Sequence, residues 1–66
     1  MRIRVNGREE EVVEGTRLVA LLEDKGIDRR FLLVEHNGEA LAREGWDDVV
    51  LAEGDRLELV RPVAGG

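Results

Sequence analysis

The chain has 66 residues, with 15 acidic side chains against 10 basic ones, a net charge of −5, no cysteine and one histidine, His36. A domain of this length buries only about 60% of the surface its unfolded chain exposes, which leaves no room for both a core and a substrate pocket of roughly 300 Å³ or more, and so argues against an enzyme. Disulfide staples and thiolate metal sites are excluded, a single histidine argues against a protein-only zinc site, and scattered basic residues with only two aromatics, Phe31 and Trp46, argue against binding nucleic acid.

Met1, Ile3 and Val5 alternate with Arg2 and Arg4, the period-2 pattern of a half-buried strand. Asn6-Gly7 follows, the strongest short hairpin signal, because both central residues of a type I′ turn need positive φ. A return strand is expected over residues 8–13, and its three glutamates, Glu9, Glu10 and Glu11, suggest a solvated edge. Thr16 is the expected N-cap of a helix on which Leu18, Leu21 and Leu22 share one face, with Gly26 at the left-handed position that ends it. Ten residues of helix do not stand alone in water, so the leucine face is expected on the sheet.

Phe31-Leu32-Leu33-Val34 reads as a strand covered on at least one face. Asn37-Gly38 marks a second turn, residues 39–43 a short strand, and Trp46 a plug for the open end of the core. Arg43 reads as a surface or capping residue, and His36 as a strand-end residue with no assigned role. Val49-Val50-Leu51 is a brief apolar piece and Glu53-Gly54-Asp55 a turn. Residues 56–63 form the last strand, with Leu57, Leu59 and Val63 on one face. The core is expected to bury Leu18, Leu21 and Leu22 against Ile3, Val5, Leu33, Leu57 and Leu59. The order predicts an α+β fold, a mixed sheet of four to five strands with one main helix on one face. The last strand belongs in the middle, beside the first.

The Asn6-Gly7 hairpin, Gly15-Thr16, Leu21-Leu22, Asn37-Gly38-Glu39, Arg43 with Trp46 three residues on, Gly54-Asp55 and the closing Gly65-Gly66 together resemble the ThiS family. These are the sulfur carrier proteins of thiamin biosynthesis, within the ubiquitin-like β-grasp group. The resemblance runs the whole length of the chain as one carrier domain, 1–66, with a flexible tail over 62–66. A double glycine is a weak signal by itself and a fairly specific one at the end of this element order. The second strand is more acidic than the family pattern, so a short or irregular edge is expected there.

The resemblance implies a cycle in which an E1-like adenylating enzyme (ThiF-like) uses ATP and magnesium to activate the Gly66 carboxylate. A sulfur donor, such as a cysteine desulfurase system, then converts it to a thiocarboxylate that supplies thiazole synthase (ThiG-like). The carrier itself binds no cofactor and is a cosubstrate rather than an enzyme. The residues suit this. Without cysteine the chain cannot hold sulfur as a side-chain persulfide. Gly65 and Gly66 lack Cβ atoms and allow close backbone approach. Residues 62–66 can reach about 17 Å at ~3.4 Å each, and Pro62 fixes one φ before binding. Ordering such residues costs roughly 1–2 kcal/mol each, so a partner must also hold the body. Val60, Pro62, Val63 and Ala64 are the candidate contacts.

A ubiquitin-like modifier, a plain interaction module, and carriers serving molybdopterin, tRNA thiolation or cysteine synthesis remain alternatives. A single lysine, Lys25, makes self-linked chains harder to build. With no cysteine, no run of about 20 apolar residues and no leader before the first strand-like residues, a cytoplasmic monomer with no membrane partner is expected.

Overall fold

The computed structural model describes residues 1–61. Both Asn-Gly pairs adopt the positive φ values that type I′ turns demand, 52° and 82° at Asn6 and Gly7, and 52° and 87° at Asn37 and Gly38. The first turn joins β1 (Arg2–Val5) to β2 (Arg8–Glu11), and the second joins β3 (Leu33–His36) to β4 (Glu39–Ala40). The last strand, β5 (Arg56–Val60), lies between the two hairpins, parallel to β1 and antiparallel to β3. The sheet order is therefore β2-β1-β5-β3-β4, a five-stranded mixed sheet with the helix α1 (Leu18–Asp24) as its main helix. This is the β-grasp arrangement expected from the sequence.

Strand alternation sends Ile3 and Val5, Val34, and Leu57 to the face that meets Leu18, Leu21 and Leu22, and all seven are buried. The helix ends as expected. Gly26 takes φ 67°, its N–H donates to Glu23 O, and the Ile27 N–H donates to Leu22 O, the paired bonds of a Schellman cap.

Several expectations are corrected. Thr16 is not the N-cap: that position belongs to Arg17, whose side chain makes no cap bond to α1 and donates instead to Asp47 O at 3.0 Å. The Thr16 hydroxyl turns back to Val13 O at 2.6 Å. Arg17 forms a bridge with Val50, and the first helical N–H, that of Leu18, donates to Val49 O at 3.0 Å. A tertiary strand contact has taken over the work of a local cap.

Phe31 is not in a strand. Asp28 caps a 3-10 turn, Arg29–Phe31, by accepting the Arg30 N–H, which delays β3 to Leu33. Leu32 then becomes the buried residue, 1% exposed, and Leu33, expected in the core, is 60% exposed on the opposite face. β2 stops at Glu11, and β4 has two residues rather than five. Arg43 instead opens a 3-10 helix, Arg43–Asp48, that seats Trp46 in the core at 4% exposure, its Nε1 donating to Leu41 O at 3.0 Å. β5 ends at Val60; Val63, placed on this strand from sequence, lies outside the described residues.

The corrected face assignment gives a paired expectation. Leu22→Ala should cost about 2–5 kcal/mol, as for a fully buried leucine, whereas Leu33→Ala should stay within about 0.5 kcal/mol. Chemical denaturation of the two variants checks this, and equal losses would mean that the outer face is not open.

Candidate functional site

The site is the end of β5, where the chain leaves the sheet. On one side β5 pairs with β1 through Arg4↔Arg56 and Val5↔Leu57, and the Asn6 N–H donates to Leu57 O at 2.9 Å. There β1 turns away, and the next residue of β5 facing it, Leu59, would lose its backbone partners. The Asn6 side chain replaces them. Its Oδ1 accepts the Leu59 N–H at 2.7 Å, and its Nδ2 donates to Leu59 O at 3.3 Å. On the other side β3 continues to Leu33↔Val60. β5 is thus held on both sides almost to its last residue.

The start of the same strand is held by a matching device. Asn37 Oδ1 accepts the Arg56 N–H at 2.8 Å, and the Asn37 N–H donates to Arg56 O at 2.8 Å. Just before it, the buried Asp55 accepts from His36 Nε2 at 3.0 Å, from the Ala52 N–H at 2.9 Å and from Asn37 Nδ2 at 3.2 Å. Because an ionised carboxylate only accepts, the imidazole proton sits on Nε2. Burial by itself would raise the Asp55 pKa, but the bonds from His36, Ala52 and Asn37 together outweigh it and hold the carboxyl below its usual range. His36, given no role from sequence, is therefore a fastening between β3 and the turn before β5.

The face of the sheet away from α1 carries two exposed apolar strand residues, while exposed Val13 and Val50 lie outside the strands. Leu33 and Val60 are register partners there, 60% and 50% exposed, and Phe31, 67% exposed, sits in the turn that leads into β3. The next pair along is Glu35↔Glu58, two exposed carboxylates directly opposite each other. Arg43 fixes the turn that bears Phe31: its Nη1 donates to Arg29 O at 2.6 Å and its Nη2 to Arg30 O at 2.6 Å, while its guanidinium lies 5.0 Å from the Trp46 ring centroid. The capping role expected of Arg43 is thus met. The Arg30 side chain and N–H, both donating to the Asp28 carboxylate, lower its pKa to about 2.

Of the residues expected to act, Val60 lies on this outer face, and Pro62, Val63, Ala64, Gly65 and Gly66 lie outside the described residues. Phe31 and Leu33 were missed as surface residues because a continuous apolar run does not reveal its phase. The available signal was Asp28, a capping residue placed three before Phe31. Asn6 was read for its backbone alone. Among the described residues, no three histidine, aspartate or glutamate side chains gather as a metal site, and no helix is long and apolar enough to cross a membrane.

A folded-state carboxyl held below its unfolded pKa contributes stability that is present above that unfolded value, near 3.9, and lost as pH falls through the lower folded one. Stability should therefore drop below about pH 4, with Asp55 contributing to the drop. Asp55→Asn should be less stable at neutral pH and show a shallower loss between about pH 4 and pH 2, as read from thermal melts at each pH.

Comparison with known proteins adds four findings. The model of the ThiS family matches residues 3–66. A crystal structure of the thiamine biosynthesis protein ThiS from Geobacter metallireducens is 32% identical, covers all of both chains and superposes with a TM-score of 0.85. A solution structure of a thiamine biosynthesis protein from the same organism, also 32% identical, covers all of this chain and 88% of that one with a TM-score of 0.81. Proteins named thiazole synthase from Paramagnetospirillum magneticum and Magnetococcus marinus are 33% and 35% identical over all 66 residues, and the chain spans 20% of the length of each.

Proposed function

Because this chain belongs to the ThiS family, non-catalytic sulfur carriers of thiamine biosynthesis, we propose that Gly66 is the residue that carries the sulfur, as a terminal thiocarboxylate. The observation that carries this reading is the placement of β5: the strand that leads to Gly65 and Gly66 is the central one, held between β1 and β3 up to Val60. A carrier needs a body that stays folded while its end enters another protein's active site, and a central strand supplies both.

In the proposed cycle an E1-like adenylating enzyme directs the Gly66 carboxylate oxygen at the α-phosphorus of ATP, and pyrophosphate leaves. Magnesium on the nucleotide belongs to that enzyme. The persulfide of a donor such as a cysteine desulfurase system then attacks the acyl carbon and AMP leaves. A thiol reductant cleaves the resulting acyl disulfide, taking the donor sulfur into a new disulfide and leaving the thiocarboxylate on Gly66. The thiocarboxylate supplies thiazole synthase, a partnership supported by the two relatives of that name, each of which contains a region similar to this whole chain. The proposed place of action is the cytoplasm, where ATP is present.

The activating enzyme docks on the outer sheet face at Leu33 and Val60, with Phe31 beside them, and takes up Pro62, Val63 and Ala64 as the end of the chain enters. Exposed apolar side chains next to charged ones are the usual form of such a surface. The facing pair Glu35 and Glu58 suits a partner that brings a cation beside its apolar contact.

With ATP, Mg²⁺, a cognate activating enzyme and a sulfur source, the intact protein should gain the mass of one oxygen-to-sulfur exchange, located at Gly66. Deleting Gly66 should abolish the gain, and Gly65→Ala should impair it with an unchanged melting curve. Intact-protein mass spectrometry decides: a gain that survives loss of Gly66, or conjugation of Gly66 to lysines of other proteins, would sink the carrier reading.

Val60→Asp should weaken binding to the activating enzyme at least tenfold, as for loss of an interface anchor, and leave the fold intact. Unfolding of that variant would instead place Val60 in the core.

A further inference from the structure

We propose that Asn6 is a positioning residue for activation of the carrier: its carboxamide, fastened to the backbone of Leu59, sets how the chain leaves the sheet on its way to Gly66. This rests on the carrier reading above.

A type I′ turn asks only for positive φ at Asn6, and glycine would meet that demand with less strain. What glycine cannot supply is the side chain. The Asn6 carboxamide presents one acceptor and one donor to a single residue, taking the Leu59 N–H at 2.7 Å and giving to Leu59 O at 3.3 Å. It thus acts as one further peptide of β1 after the β1 backbone has turned away at Val5.

Gly66 lies seven residues beyond Leu59. Seven extended residues span at most about 24 Å, so a swing of roughly 10° at Leu59 moves the far end by about 4 Å. Acyl activation needs the carboxylate within about 3–3.5 Å of the phosphorus. Each further residue that must be ordered at the moment of reaction lowers the competent population roughly tenfold. Without the clamp Leu59 is held from the β3 side alone, so the direction of the exit is fixed by one neighbour instead of two and more of it must be ordered at the moment of reaction, while the outer face at Leu33 and Val60 is untouched.

The molecule contains its own control. Asn37 occupies the same position of the same turn type, with the same φ of 52°, and its Oδ1 holds the Arg56 N–H at 2.8 Å. It clamps the start of β5 and has no part in the exit. A purely structural role predicts that the two asparagines behave alike; a positioning role predicts that they differ.

The test measures pyrophosphate release by the full-length carrier with an E1-like ThiS-activating enzyme and ATP–Mg²⁺, separating kcat from the KM for the carrier. Asn6→Gly should lower kcat about tenfold and change KM less than twofold, because body docking is unaltered. Asn6→Asp keeps an acceptor for the Leu59 N–H and loses the donor to Leu59 O, so it should fall between Asn6→Gly and the unsubstituted protein. Asn37→Gly should leave kcat unchanged, even where its melting temperature falls as far as that of Asn6→Gly.

Amide hydrogen exchange of the carrier alone gives a readout independent of the reaction. Exchange at Leu59 should rise about tenfold in Asn6→Gly, while Leu22, buried within α1, stays protected.

An unchanged kcat in Asn6→Gly, or an equal loss in Asn37→Gly, would overturn the proposal. Should Asn6→Gly fail to fold, Asn6→Asp decides in its place, and full activity there overturns it. If the unsubstituted protein releases no pyrophosphate, the carrier reading itself falls and takes the role of Asn6 with it. The exchange at Leu59 then shows whether the clamp exists regardless.

Discussion

β5 has to be gripped from both sides, and much of the molecule follows from how that is done. It is the last strand in sequence and the middle one in space, so two hairpins formed earlier in the chain must be brought together around it. Neither hairpin is long: β1 offers two ladder residues to β5 and β3 offers four. Side chains make up the difference. Asn6 adds one residue's worth of pairing at the end of the strand and Asn37 adds one at its start. A turn residue selected for positive φ thus has a second task, which explains why asparagine stands in these positions although glycine also tolerates the backbone.

The edge strand shows a related economy. Its run of three glutamates looks like a simple solvated edge, yet alternation divides them between the two faces. Glu9 and Glu11 meet Arg2 and Arg4 on the outer face at 3.3–3.7 Å. Glu10 points the other way and holds Lys25, just past the end of α1, at 2.6 Å. The outer pairs are exposed and contribute little, about 0–1 kcal/mol each. The Lys25 pair is more sheltered and ties the helix end to the sheet edge. Charge here sets register and blocks edge-to-edge association while the leucines of α1 supply the core.

Much of this was legible in the sequence. The two Asn-Gly pairs, the Ile3/Val5 alternation, the Leu18/Leu21/Leu22 face and the Gly26 terminus each depend on local rules, and each is found as read. What was not legible depends on tertiary context or on phase. The start of α1 needs no Thr16 cap because Val49 and Val50, 31 residues from Leu18 and 33 from Arg17, satisfy it. Apolar runs such as 31–34 give no period, so the switch of Leu32 into the core and Leu33 out of it turned on one aspartate, Asp28. His36 and Asp55 stand 19 residues apart, and only the sheet brings them within 3.0 Å. Side-chain-to-backbone clamps such as Asn6 to Leu59 are invisible for the same reason.

The outer face carries a cost that the fold alone does not explain. Leu33 and Val60 face each other in the open, and the adjoining Glu35 and Glu58 are like charges in register, an arrangement that disfavours the pair of strands bearing them. A 66-residue domain has a narrow margin, about 3–5 kcal/mol from a single core, so such a surface is not neutral. Strand alternation offers a remedy on the same backbone: a polar residue at Leu33 or Val60 would leave the core untouched, since Leu32, Val34 and Leu57 already fill it. The apolar pair instead stands at the end of the one strand that leads to the double glycine. The molecule thus separates its two requirements by face. The helix side keeps the body folded, and the outer side is left incompletely covered at the place where, in the proposed cycle, the activating enzyme engages the body before it receives the end of the chain.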